Sequence, residues 1–164
     1  MTLFDAAQIQ QLRRALASLE QLADFDELLK AEMSSFVHMQ QMVQSFVKRC
    51  KELVPGDRLA FPGGWINTNP NRNHAIVLIF ERTSQDCFAV VTCNTGGGVQ
   101  YHPQSSDDYP KTKAQCAMRL CDIPASRVCD EALWYMILKL MCFPAEENSA
   151  AMWYEVTLML PNSS

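Results

Sequence analysis

Glycine is scarce and confined. The 164 residues hold six, Gly56, Gly63, Gly64, Gly96, Gly97 and Gly98, all within the stretch from Val54 to His102. Tight turns and close backbone approaches that need glycine are therefore to be sought there alone. Basic charge is also short. The net charge is −4 and no run of Lys and Arg occurs, which excludes the basic face of a nucleic-acid binder. No apolar run reaches the about 18 residues that span a bilayer, so no membrane span is expected. The start, MTLFDAAQIQQLRR, has no signal-peptide core, and a cytoplasmic location is expected. The seven cysteines, Cys50, Cys87, Cys93, Cys116, Cys121, Cys129 and Cys142, form no C-x-x-C pair, which leaves a structural zinc site without support. Their odd number and irregular spacing suit reduced thiols. The run Gly96–Gly98 lacks a following Lys-Ser/Thr and so is not a phosphate-binding loop. Paired carboxylates for acid–base chemistry, internal repeats and low-complexity segments are missing too. No metal and no cofactor is expected.

What is present predicts an α+β chain. Its length suits one domain with a full core. Asp5 can cap a first helix carrying Ile9, Leu12, Leu16 and Leu19 on one stripe. A second helix is expected over about 26–52, with Leu29, Met33, Phe36, Val37, Gln40, Val43, Phe46, Val47 and Cys50 on its stripe; it either breaks near Ser34–Ser35 or projects to meet a partner. Pro55-Gly56 ends it. Strands are predicted over 58–61, 74–81, 87–93 and 113–120, with turns at 62–65 and 83–86 and a further short strand at 99–102. Residues 67–73, NTNPNRN, should loop. Residues 103–112, PQSSDDYPKT, should form a mobile lid. One buried helix is expected over 125–142, and a last one over 149–160 with Asn148 as its cap. The chain thus divides into a helical segment, 1–53, and an α+β core, 54–164. In that core an antiparallel sheet of three to five strands packs between N-terminal and C-terminal helices.

Within the glycine-bearing stretch, His74 opens one strand and Asn94 closes the next. In two antiparallel strands joined by a tight hairpin, these ends face each other. Asn73-His74-Ala75, a strand, a hairpin and then Asn94 resembles the histidine–asparagine half of papain-like cysteine peptidases. Pro55-Gly56-Asp57 leading through a short strand to His74-Ala75 is similar to the circularly permuted members of that superfamily, the relatives of cell-wall amidases and lecithin:retinol acyltransferase. The resemblance spans about fifty residues, under a third of the chain. It implies a thiol hydrolase acting on a peptide, isopeptide or acyl bond, with His74 as base and Asn94 as its orienting group.

The nucleophile in the ordinary papain order precedes the histidine at a helix start. The one upstream cysteine, Cys50, lies near a helix end, where the dipole disfavours a thiolate. The permuted order implies Cys129, near the start of the helix that follows Pro124, as nucleophile; Cys116 and Cys121 fit less well. The rival reading of Cys129 is a buried structural cysteine, which would leave a scaffold that binds rather than cuts. Trp65 belongs over a substrate groove or under the core. Gly96 and Gly97 offer backbone N–H groups to substrate, or simply turn the chain. His102 contacts substrate, replaces Asn94 as orienter, or is a plain loop histidine. The alternative function is a non-catalytic protein-interaction domain on a degenerate hydrolase-like scaffold, docking through its second helix. Either way the partner is a protein or peptide.

Overall fold

The computed structural model describes residues 36–105 and 113–158. The expected first helix, the second helix before Phe36, most of the 103–112 lid and the last helix beyond Leu158 lie outside these residues.

The fold is α+β. Helix α1 (Phe36–Glu52) leads into strand β1 (Arg58–Trp65), then β2 (His74–Arg82) and β3 (Cys87–Cys93). A small pair follows, β4 (Gln104–Ser105) and β5 (Lys113–Ala114), and then β6 (Ala117–Pro124). Helices α2 (Ala125–Val128), α3 (Glu131–Cys142) and α4 (Ala150–Leu158) complete the described chain. The main sheet is antiparallel throughout, in the order β1-β2-β3-β6. No helix among the described residues is long and apolar enough to cross a membrane.

Strict alternation makes the sheet two-faced. In β2, Ile76, Leu78, Phe80 and Arg82 are buried while Val77, Ile79 and Glu81 are only partly covered. Helices α3 and α4 pack against β1, and α1 packs on α3. The centre of this layer is aromatic. The Trp134 ring lies 5.2 Å from Phe46, 5.1 Å from Phe61 and 4.9 Å from Phe80, and its indole N–H donates to the Val128 carbonyl at 2.7 Å. Removing such a side chain costs about 3–5 kcal/mol.

Several elements differ from expectation, each for a local reason. The strand at Arg58 does not stop at a Pro-Gly-Gly turn but runs through Pro62 to Trp65. It is the outer strand of the sheet, so a proline there removes no ladder bond that a central strand would need. The helix expected over 125–142 is two helices. Asp130 takes an extended conformation and its side chain accepts the Ala132 N–H at 2.9 Å, so a new helix starts there. Residues 99–101 form a 3-10 turn rather than a strand, entered from Gly98 at φ 89°. Residues 113–120 are interrupted at Gln115, whose N–H goes to the Pro103 carbonyl, and the strand restarts at Ala117. Asn148 does not cap the last helix. It donates to the Ile66 and Phe143 carbonyls, and Ser149 Oγ takes the Met152 N–H at 3.4 Å instead.

Candidate functional site

Three adjacent strands set their end residues on the helix-covered face at one edge of the sheet. Trp65 pairs directly with His74. The β2–β3 register runs Arg82↔Phe88 to Val77↔Cys93. Carried past Cys93, it sets Ile76 against Asn94 and His74 against Gly96. Asn94 therefore lies diagonally from His74, two residues from the direct pairing that a tighter hairpin would give. A shift of two keeps every side chain on its face, so the two still meet: His74 Nε2 is 2.7 Å from Asn94 Oδ1.

Asn94 is 2 % exposed and held on all sides. Its Oδ1 also accepts the Gly96 N–H at 2.9 Å. Its Nδ2 donates to the Gly97 carbonyl at 2.7 Å and to the Tyr154 hydroxyl at 3.0 Å. The imidazole is further sandwiched. The Trp65 ring lies 5.1 Å away, tilted by 42°, and the backbone of Gly96 backs it so closely that a Cβ there would stand 2.5 Å from Cε1. The indole of Trp65 is itself fixed by donation to the Arg72 carbonyl at 2.8 Å. The ring serves groove and core together.

A groove of about 410 Å³ opens beside this pair, lined by Trp65, Asn67, Arg72, His74, Gly97 and Asn148 among others. Its walls are secured by carboxamides. Asn67 donates to the Glu146 and Asn148 carbonyls, and Asn73 Oδ1 receives the Asn67 N–H. His74 lines the groove, and its Nδ1 has no hydrogen-bond partner among the described residues.

The expected nucleophile is not there. Cys129 follows the last turn of α2 and precedes the Asp130 cap, so no helix N-terminus favours its thiolate. It lies in the field of Arg82, Lys51 and Cys50. Arg82 and His74 are the two ends of the nine-residue β2, about 26 Å apart at strand rise. Burial pushes the Cys129 thiol up, and the nearby Arg82 and Lys51 offset this only in part. None of the seven cysteines lines the groove. Burial also raises Cys93, and it raises Cys142 to about 12.

His102, expected at the substrate, is 3 % exposed and lies behind the site. Its Nδ1 is 2.7 Å from the Gln115 carbonyl and its Nε2 is 2.7 Å from the Tyr154 hydroxyl. Gly97 lines the groove, whereas Gly96 lies against the imidazole. The sequence reading missed Tyr154, which sits in the apolar run of the last helix and looks like core. Its hydroxyl, not its ring, joins the site, and burial holds that phenol above its usual range despite the Asn94 hydrogen bond. Among the described residues no cluster of His, Cys, Asp and Glu can hold a metal ion. No family model, no curated protein and no solved structure matches the chain.

Proposed function

We propose that this chain is a polypeptide-binding module of hydrolase-like design, which supplies the base and its orienting group but not the thiol. The groove beside His74 takes a peptide or acyl-bearing segment of a partner protein. A thiol brought to the groove gives its proton to His74 Nδ1 as its sulfur attacks the acyl carbon, and the imidazolium returns that proton to the leaving group. Asn94 keeps the ring in place while it is charged. One observation carries the reading: His74 Nε2 is engaged by a fully held carboxamide at 2.7 Å, while its other ring nitrogen has no hydrogen-bond partner among the described residues and the residue lines a groove that none of this chain's cysteines lines.

Gly97 offers a direct test. A Cβ there meets nothing closer than 3.8 Å, with Trp65 and the His74 ring, including Nδ1, at 3.8–3.9 Å. Gly97→Cys therefore places a thiol beside the free nitrogen without displacing the fold. At pH 6.5 this thiol should react with iodoacetamide at least ~10-fold faster than in Gly97→Cys/His74→Ala, the gain of an imidazole-paired thiolate. Equal rates in the two variants would remove the base role.

A further inference from the structure

We infer that the groove carries a carboxylate subsite, formed by the main-chain N–H groups of Gly97 and Gly98 together with the Arg72 guanidinium. The segment it takes then presents a free C-terminus or an acidic side chain there. The inference names the chemistry of the occupant and rests on the reading of the groove as a polypeptide site.

The glycine turn has its carbonyls tied and its N–H groups open. The Val99 N–H donates to the Gly96 carbonyl at 3.1 Å, which closes a turn over residues 96–99. The Gly97 carbonyl accepts from the buried Asn94 Nδ2 at 2.7 Å. A trans peptide unit sets its N–H opposite its carbonyl. The Gly97 N–H therefore points out of the turn, and the Gly98 N–H points away from Asn94. Neither has an acceptor among the described residues. Gly98 is itself buried, and buried N–H groups without an acceptor are rare in folded chains.

A free cation stands near these donors. Trp65 Nε1 donates to the Arg72 carbonyl at 2.8 Å, and Cζ2 of the same indole lies 3.8 Å from a Cβ placed on Gly97. The two segments thus flank one edge of one ring, so a carboxylate seated at the turn comes within reach of the guanidinium. Arg72 and Gly97 both line the groove, both are exposed, and Arg72 makes no ion pair among the described residues. A guanidinium beside main-chain N–H groups is a donor set that a carboxylate satisfies with its charge and both oxygens. The acid on the lining, Glu146, is tied at the Asn67 wall, where its main-chain carbonyl takes Asn67 Nδ2 at 2.8 Å, and it does not pair with Arg72. A carboxylate is also what hydrolysis of an acyl bond leaves. A subsite for it holds the acyl end of the segment beside His74, whose ring lies 3.9 Å from the same Gly97 position.

Titration of the full ¹⁵N-labelled chain at constant ionic strength tests this and separates the sources. The probes are N-acetylated trialanine with a free C-terminus, its C-terminal amide, and the amide of a tripeptide with glutamate between two alanines. An acidic peptide should move the Gly97 and Gly98 amide signals downfield and bind ~10-fold tighter than trialanine amide, the gain of one charge-assisted hydrogen bond. The tighter of the two acidic peptides identifies the source as terminus or side chain. Arg72→Gln keeps the main-chain carbonyl that holds Trp65 and should abolish the preference. Equal affinity for all the peptides overturns the inference and leaves polypeptide binding standing. Binding of none overturns both together. A preference that survives in Arg72→Gln, or that leaves the two glycine signals unmoved, puts the carboxylate elsewhere and overturns the inference. The Gly97→Cys alkylation result turns on His74 and is separate from these outcomes.

Discussion

His74 stands across from Gly96, and a methyl group at Gly96 would come within 2.5 Å of the imidazole Cε1. The glycine is what allows the ring to lie flat enough for Asn94 to reach it diagonally. Gly96→Ala should push the ring off Asn94 and cost about 1–3 kcal/mol, as overpacking of a tight site does. Urea denaturation measures the cost, and loss of the native His74 ring shifts reports the displacement.

Asn94→Ala removes a carboxamide that satisfies the Gly96 N–H, the Gly97 carbonyl and the Tyr154 hydroxyl as well as His74. Buried groups left unpaired cost about 1–3 kcal/mol each. The variant should lose about 2 kcal/mol or more in chemical denaturation. His74→Ala, which removes one bond at a half-buried ring, should lose less.

The thiols should react in an order set by access, not by catalysis. Cys116 and Cys121 are exposed, Cys50 is fully buried and Cys142 is raised to about 12 by burial. Peptide mapping after brief iodoacetamide treatment at pH 7 should find label on Cys116 and Cys121 first. Cys50 and Cys142 should be labelled last, and Cys129 should not lead. Rapid labelling of Cys129 would contradict its raised thiol.

Glu81 lies on the partly covered face of the sheet, between Arg119 Nη1 at 2.7 Å and Arg58 Nη2 at 3.3 Å. The hydrogen bond from Arg119, followed by that from Arg58, holds its carboxyl below the ordinary value of 4.5. A carboxyl with a depressed folded-state pKa stabilises the fold above its unfolded pKa, and loses that contribution as pH falls through the folded value. Urea titrations from pH 7 down to pH 2.5 should show a loss below about pH 4.5 that Glu81→Gln lacks. The difference at pH 7 should stay within about 1 kcal/mol, as for other partly exposed pairs.

Much of the fold could be read from residue order. Ile76, Leu78 and Phe80 alternate with less buried neighbours, and Val43, Phe46, Val47 and Cys50 recur at helical steps; each pattern depends only on residues a few positions apart. The meeting of His74 and Asn94 was legible for the same reason. A short hairpin brings strand ends together, and a register two residues off leaves side chains on the same face.

The sequence by itself thus determined the α+β class, the hairpin and the imidazole–carboxamide pair, because these follow from periods of 2 and 3.6 and from one short turn. Only the tertiary structure decided that Cys129 belongs to the Arg82 end of β2, and that Tyr154 and His102 stand behind Asn94. Whether a helix beginning after a strand points toward one end of that strand or the other depends on how layers pack over tens of residues. No local spacing carries that information, and a thiol can act on an imidazole only at hydrogen-bond range.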